Sequence, residues 1–435
     1  MTFLRVLSQS LIWRGVYFVT LFIVNLVLSR YLQADGSGVV YYISNTFVFV
    51  QLVAGLSLEN GITYFAAGKR ISTNKLLWFC LLWTGIFIIL QIVVYSFFSF
   101  ENQIIPAQQI TQYAFCFITG SLLIAYCSNV FYATGNFFVS NLILSLFNLL
   151  FSAFAFVAYG WLHSISKNTI VDVYFYTMLL QGVTIAIVCI IKNKSWQEFA
   201  LPEPAETKKF VRYSLTVLIF NILLFLVYRI DYYFVKFSPV CTPSDLGNYI
   251  QASKLGQMLL IIPQIVGSAV YPQVSSGKDM ENVSRIILLL IKLAALIFFL
   301  VFIFFFFTGN QLFPFLFGYT FSKMRIPFLL LLPGIFGLSV ISFLSNYFSG
   351  QGNVFISVKA ASVALVVVVA GDFVFVPRYG IVAAASVSMI GYLVMCAPYI
   401  NRFVKDKKLS YLDFFRFQKS DWLLLTSITK RNKND

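Results

Sequence analysis

The stretch FYATGNFFVS, residues 131–140, is matched without a gap by FSGQGNVFIS, residues 348–357. The two stretches share identical Phe, Gly, Asn, Phe and Ser residues, and they begin half of the 435-residue chain apart. Each lies in a short polar gap between long apolar runs. Two similar turns can match by chance, but a duplicated membrane bundle predicts both the match and its spacing, and such duplication is typical of secondary transporters.

The composition is that of a membrane protein. The chain is 59% hydrophobic and 11% charged, whereas soluble domains are roughly 45–50% apolar. Runs of about 18 or more nearly uncharged residues, each long enough to cross the bilayer, recur along it. The sequence predicts an all-α membrane protein with twelve transmembrane helices at residues 11–31, 38–58, 76–98, 110–132, 139–160, 169–191, 212–236, 247–271, 285–307, 326–348, 355–376 and 381–403.

The longest polar gap before the C-terminal tail divides these spans into two sets of six. We therefore expect two pseudo-symmetric lobes, at 1–191 and 210–403, joined by a cytoplasmic linker at 192–209. The tail at 404–435 mixes apolar and basic residues, a pattern typical of an interfacial helix on the cytoplasmic face.

Four further residues follow from the duplication. We expect the two copies of the repeat to form equivalent cytoplasmic turns, with Gly135 and Asn136 in one and Gly352 and Asn353 in the other.

The eighth and tenth spans contain prolines, so they are expected to be broken or kinked.

Positive charge predicts the orientation. Cytoplasmic loops carry an excess of lysine and arginine, and most of the 31 such residues fall in one set of gaps. Both termini are therefore expected in the cytoplasm. The net charge of +15 is explained by this cytoplasmic collar and does not indicate nucleic-acid binding. The opposite gaps hold six cations, namely Arg30, Lys167, Lys236, Lys323, Arg325 and Arg378.

No motif for catalysis or for a metal is found. The single histidine, His163, lies in an outward loop, and the six cysteines are scattered without metal-site spacing. The chain has no Gly-rich phosphate loop of the Walker type. We therefore expect no catalytic centre, no metal site and no cofactor. A multispan membrane enzyme that acts on glycans stays open as an alternative.

Charge within the apolar spans marks a candidate binding site, because an ionised side chain at mid-membrane costs about 2.5–3.5 kcal/mol. Arg14, Arg229, Lys254 and Lys292 are cations within spans or at their ends. Together they predict a cationic cavity that suits an anion such as a diphosphate. Alternatively, these side chains reach towards the membrane surface or pair with carboxylates.

The carboxylates available for pairing are Asp231 and Asp372, which also lie in predicted spans. They are expected either to pair with the lysines or to couple transport to H⁺ or Na⁺. Arg229 and Asp231 are two residues apart on one helix, so their side chains point to different sides. An exporter of cationic drugs needs acidic groups in its cavity, and here the cations prevail.

Short motifs along nearly the whole chain resemble bacterial polysaccharide flippases of the Wzx type, through their order and spacing together. Asp372 stands where that family is expected to have an asparagine. The motifs are LSRYL at 28–32, LVAGL at 52–56, RID at 229–231, SDLGNYIQA at 244–252, LFPFLFG at 312–318, GQGN at 350–353 and VPRYGIVAAA at 376–385.

The resemblance implies a MATE-like transporter fold in the bacterial inner membrane. It also implies movement of undecaprenyl-diphosphate-linked oligosaccharides from the cytoplasmic to the outer leaflet, for O-antigen, capsule or exopolysaccharide assembly. A polysaccharide polymerase and glycosyltransferases would be partners. A multidrug (MATE) cation antiporter of the same fold is the main alternative. The peptidoglycan-precursor flippase, with its longer chain and fourteen spans, fits less well.

Overall fold

The computed structural model describes residues 3–97, 107–268, 274, 280–351, 355–414, 416–417 and 421, and these ranges contain helices and no strand. Short 3₁₀ turns lie at Ser195–Gln197, Tyr319–Lys323 and Tyr411–Phe414, and a π-helical turn lies at Phe156–Trp161. The α-helices are α1 (Phe3–Gly55), α2 (Leu58–Ala67), α3 (Thr73–Phe97), α4 (Ala107–Ala133), α5 (Phe137–Ala155), α6 (Lys167–Lys192), α7 (Pro204–Lys236), α8 (Pro243–Met258), α9 (Ile261–Ser268), α10 (Met280–Phe317), α11 (Arg325–Gly350) and α12 (Phe355–Lys407).

Nine helices of the described ranges are long and apolar enough to cross a membrane. Two of them, α1 and α12, have 53 residues each and turn sharply at Gln33 (φ 60°) and Gly380 (φ 59°). Each therefore contains two of the predicted spans. The prediction of an all-α, multi-pass membrane fold is confirmed.

The predicted span at 247–271 is interrupted. Helix α8 ends at Met258 and α9 begins at Ile261, which places Pro263 in the first turn of α9. Proline is tolerated there because the first N–H groups of a helix have no partner within the helix. By contrast, α11 continues through Pro333 from Arg325 to Gly350.

The chain divides into two compact units, Met1–Ile222 and Leu223–Asp435, here called unit 1 and unit 2. The division falls within α7, which is continuous from Pro204 to Lys236. The segment at 192–209 contains a 3₁₀ turn and then an irregular stretch before α7 begins at Pro204. The predicted lobe and linker boundaries stay a prediction.

Unit 1 contains a close helix crossing between α4 and α6. Gly120 and Gly182 face each other there, and a Cβ atom on either would collide with the backbone of the other helix. Small residues allow such close approach in membranes, where packing rather than water exclusion holds helices together. Side-chain hydrogen bonds link other helices of the unit: the Gln181 amide of α6 donates to Asn148 of α5 (3.0 Å), and the Asn148 amide donates to Thr20 of α1 (3.1 Å).

The first copy of the repeat forms the turn between α4 and α5. The Asn136 N–H donates to the Phe131 carbonyl (2.8 Å) and the Gly135 N–H to the Tyr132 carbonyl (3.0 Å), which is the Schellman pattern of a helix end. Gly135 has φ 76°, a conformation that favours glycine. The Asn136 side chain then accepts from the Val139 N–H (3.3 Å) and caps α5.

The second copy has helix boundaries in nearly the same places. Helix α11 ends at Gly350, the position equivalent to Ala133 at the end of α4, and α12 begins at Phe355. Gly352 and Asn353 lie outside the described residues. The turn geometry predicted for them therefore stays a prediction.

The described part of the tail folds back onto unit 2. Phe414, in the 3₁₀ turn after α12, is buried, and its ring centroid lies 6.2 Å from that of Phe403. The described residues of the tail thus include a side chain buried within the protein. The interfacial position predicted for the tail stays a prediction.

Candidate functional site

A buried carboxylate joins three helices of unit 2. Asp231 of α7 is fully buried, and one of its oxygens accepts hydrogen bonds from the Tyr249 hydroxyl of α8 and the Ser388 hydroxyl of α12 (2.8 Å). Its other oxygen accepts from the Tyr232 backbone N–H (2.8 Å). Each helix thus contributes at least one group, and three donors surround this carboxylate.

A second carboxylate lies beside the first without comparable support. Asp372 of α12 is fully buried, and neither of its oxygens has a hydrogen-bond partner among the described residues. It is close enough to Asp231 for the two charges to repel each other. Two buried carboxylates that repel each other are stabilised when one of them takes up a proton or when a small cation binds nearby. The cluster of Asp231, Tyr249, Asp372 and Ser388 is called the carboxylate site below.

One of the predicted cations, Arg229, adjoins this site, and a second, Lys254, interacts with Arg229. Arg229 of α7 donates to the Tyr232 hydroxyl, and its guanidinium carbon lies 5.2 Å from the centroid of the Tyr232 ring. Lys254 of α8 is half-buried and interacts electrostatically with Arg229. Arg229 thus engages Tyr232 while Asp231 engages Tyr249 and Ser388. Arg229 is therefore close to Asp231, and Lys254 is close to Arg229.

Lys292 has a different partner. Its ammonium nitrogen in α10 lies 2.8 Å from an Asp421 carboxylate oxygen, and the two side chains are only 3% and 8% exposed. Lys292 therefore pairs with the tail, and not with Asp231 or Asp372 as the alternative interpretation had it. Lys292 also borders an apolar cavity of about 460 Å³, which is lined by Phe298, Phe417 and other side chains of α10, α11 and the tail.

Arg14 belongs to unit 1 and lies beside the turn of the repeat. Its guanidinium carbon is 4.6 Å from the ring centroid of Tyr132 and 5.4 Å from that of Phe137. These residues flank Gly135 and Asn136 on α4 and α5. Cation–π contacts of this kind position a guanidinium while leaving its N–H groups available to an anion.

Known structures share the arrangement of helices. An inward-facing multidrug resistance MATE family transporter of the MOP superfamily superposes with a TM-score of 0.69 at 14% identity, covering 92% of this chain and 99% of that one. The lipid II flippase MurJ, in an inward closed conformation, gives 0.64 at 13% identity, with 98% and 93% covered. The fold is that of the MATE-type transporters.

A third structure of this type comes from Pyrococcus furiosus. It is a MOP superfamily transporter for which a reverse polarity of the binding pocket suggests a different function. Its TM-score is 0.63 at 16% identity, with 93% of this chain and 95% of that one covered. No protein-family model matches the chain, and no curated protein sequence matches it either.

Within this MATE-type fold, sequence reasoning missed three residues that complete the buried charges. Tyr249 and Ser388 hold Asp231, and Asp421 holds Lys292. A hydroxyl in an apolar span gives little signal, because it can bond to its own helix backbone. Asp421 did carry a signal, since it is a carboxylate within a basic tail.

Proposed function

We propose that this MATE-type protein is a flippase for undecaprenyl-diphosphate-linked oligosaccharides. It would move them by alternating access from the cytoplasmic to the outer leaflet for surface polysaccharide biosynthesis. The observation that supports the proposal is Arg229, a cation of α7 held 5.2 Å from the Tyr232 ring centroid, together with Lys254 on α8, which is close enough to interact with it electrostatically. Two adjacent cations repel each other, and an anion bound between them relieves that repulsion.

A diphosphate suits this pair chemically. The guanidinium of Arg229 offers a planar fork of donors, while the ammonium of Lys254 acts as a point charge. Arg14 is a further cation of the proposed path, already oriented by Tyr132 and Phe137. Lys292 is withdrawn from this role, because Asp421 neutralises it.

The comparison structures support the proposal by analogy. MurJ, of the same fold, is a lipid II flippase, so the fold can accommodate a lipid-linked precursor. The Pyrococcus furiosus transporter has a binding pocket of reverse polarity, so pockets in this fold differ in charge. A cationic site within a MATE-type fold is therefore reasonable.

The carboxylate site is proposed to bind the coupling ion, H⁺ or Na⁺. Its donors are carboxylate and hydroxyl oxygens, which hard cations prefer, and a proton would satisfy the same carboxylates. Asp372 has both oxygens available for either ion among the described residues. Binding here would change the net charge beside Arg229 and Lys254 and so alter their attraction for a diphosphate.

The proposed setting is the bacterial inner membrane, with both termini in the cytoplasm, because positive charge accumulates in cytoplasmic gaps. The lipid bilayer holds the polyprenyl tail while the polar group crosses through the protein. A polysaccharide polymerase and glycosyltransferases are the proposed partners, since they consume and supply the lipid-linked unit.

The test is surface polysaccharide in cells that lack the native copy and express a variant. We expect the Arg229→Gln/Lys254→Gln double variant to lose most of its polysaccharide at unchanged protein level. Lys236→Gln is the matched control, because it removes a cation from the end of the same helix, α7. Normal polysaccharide from the double variant at equal expression would contradict the diphosphate assignment.

A multidrug cation antiporter is the second candidate, and the carboxylate site favours it. Asp231 and Asp372 are buried acids of the kind that attract cationic drugs. Under this alternative, deleting the gene sensitises cells to cationic dyes and leaves surface polysaccharide unchanged. The flippase proposal expects the reverse.

A further inference from the structure

A polar pocket lies at one end of unit 2. None of its lining residues belongs to the carboxylate site. Its volume is about 680 Å³, and it forms where α7 leads into α8, where α10 leads into α11, and where α12 turns at Gly380. The lining residues that the argument uses are Asp245, Lys323, Arg325, Ile326, Arg378 and Tyr379.

The pocket gathers half of the cations that are predicted on its side of the membrane. The gaps opposite to the cationic collar hold six lysines and arginines in the whole sequence. Three of those six, Lys323, Arg325 and Arg378, line this single pocket. Since such loops ordinarily avoid positive charge, the clustering points to a local electrostatic requirement.

One of the three cations is neutralised and the other two are not. Lys323 lies 2.7 Å from the Asp245 carboxylate, which also accepts hydrogen bonds from Thr242. Neither Arg325 nor Arg378 forms an ion pair with any residue that the structure describes. The pocket therefore carries an excess of two positive charges.

Arg325 is held in place for binding. Its guanidinium donates to the Phe306 carbonyl and lies 5.1 Å from the Phe306 ring centroid, while its buried Nε has no hydrogen-bond partner among the described residues. It is also the first residue of α11, so the positive end of that helix dipole adds to the attraction for an anion.

The rim of the pocket is apolar and exposed. Tyr379 is 66% exposed and Ile326 is 55% exposed, and the nearby Tyr319 is 78% exposed. Exposed aromatic residues at the ends of spans lie at the level of lipid headgroups. A cationic pocket with such a rim faces lipid phosphates rather than bulk water.

We propose that this pocket binds the phosphate group of a membrane lipid through Arg325 and Arg378. An anionic phospholipid and a polyprenyl phosphate share this chemistry. The site does not depend on the identity of the transported substrate. Only its placement in the outer leaflet rests on the proposed orientation of the helices.

The experiment is lipid titration of the full chain in detergent micelles, with bound lipid counted by native mass spectrometry. The probes are phosphatidylglycerol, undecaprenyl phosphate, phosphatidylcholine and inorganic diphosphate. We expect at least one of the two anionic lipids to bind more tightly than phosphatidylcholine. Arg378→Gln should weaken that binding about tenfold, because it removes one charge-assisted hydrogen bond.

Two controls separate the pocket from general surface charge. Lys236→Gln removes a cation that does not line the pocket and should leave lipid binding unchanged. Lys323→Gln/Asp245→Asn keeps the net charge and should retain the preference for anionic lipid. Arg378 is exposed, so its replacement does not disturb the core.

The anionic lipid whose binding depends on Arg378 identifies the source of the phosphate. Equal lipid binding by Arg378→Gln and the natural protein would overturn the proposal. Binding of inorganic diphosphate with no preference among the lipids would overturn it too. Because the assay measures binding alone, its result is independent of whether the chain moves oligosaccharides.

Discussion

Two buried carboxylates of unit 2 lie in opposite surroundings. Asp421 is 2.8 Å from the Lys292 ammonium, whereas neither oxygen of Asp372 has a hydrogen-bond partner among the described residues. A paired buried charge acts as a cross-link, while an unsupported one costs free energy and is retained where function needs it. Burial of a charge in an apolar region therefore does not by itself identify a functional residue. The presence or absence of hydrogen-bond and ion-pair partners distinguishes the two cases.

The largest expected effect on stability comes from breaking the ion pair between Lys292 and Asp421. Asp421→Asn leaves Lys292 buried without its counterion, and we expect the free energy of unfolding to fall by about 3 kcal/mol. Thermal or denaturant unfolding of the purified protein in detergent measures this. Lys292→Met/Asp421→Asn should recover most of the loss, since it removes both charges. An unchanged melting temperature for Asp421→Asn would contradict the conclusion that this ion pair stabilises the protein.

A smaller loss of stability is expected when one hydrogen bond to Asp231 is removed. Ser388→Ala removes one of its hydroxyl donors, and hydrogen bonds to charged groups contribute roughly 1.5–3 kcal/mol. We expect a loss of about 2 kcal/mol in the same unfolding assay. Ser386→Ala is the control, because among the described residues its hydroxyl donates to the Val382 carbonyl of its own helix and to no carboxylate. Equal effects of the two variants would count against a special role for Ser388.

Replacing Asp372 should change the stability in the opposite direction, by raising it. Asp372→Asn removes a buried acid that has no hydrogen-bond donor among the described residues, so we expect stability to rise by about 1 kcal/mol. Surface polysaccharide should fall sharply in the same variant, because the proposed coupling ion loses a ligand. A destabilised Asp372→Asn with normal polysaccharide would show that this residue is structural.

The smallest effect is expected for Asp245, whose carboxylate is intermediate between these cases. Burial raises its pKa, but the Lys323 ammonium and the Thr242 donors outweigh burial and hold the pKa below its usual value. Its stabilising contribution is therefore present above about pH 4 and is lost as the pH falls through the lowered pKa.

The comparison with Asp245→Asn tests this pH dependence. We expect the natural protein to be more stable than the variant near neutral pH by up to about 1 kcal/mol, since the partner Lys323 is largely exposed. The gap should narrow as the pH falls below about 4. A gap that stays constant with pH would show that the ion pair contributes nothing.

Hydropathy predicted the spans well because it depends on the average over a whole helix. The run at 285–307 lies within α10, Met280–Phe317, and the run at 212–236 lies within α7, Pro204–Lys236. Helix ends were predicted less closely, because helices extend past the hydrocarbon into polar residues. A break or kink near Pro263 was predictable, because an interior proline removes a helix hydrogen bond. The same signal at Pro333 did not end α11, which continues from Arg325 to Gly350.

The site could be predicted only in part. Asp231 and Asp372 stand out in the sequence because a charge in an apolar run is costly. Their different support depends on Tyr249 and Ser388, which are brought to Asp231 by tertiary packing. The pairing of Lys292 with Asp421, 129 positions along the chain, likewise follows from how the tail folds and not from local pattern.

The turn at Gly135 has a consequence for how the protein is made. Every hydrogen bond of its Schellman end and of the cap on α5 lies within residues 131–139. The hairpin of α4 and α5 therefore needs no other segment to close its turn. The turn can form as soon as both helices have left the ribosome, before unit 2 has been synthesised.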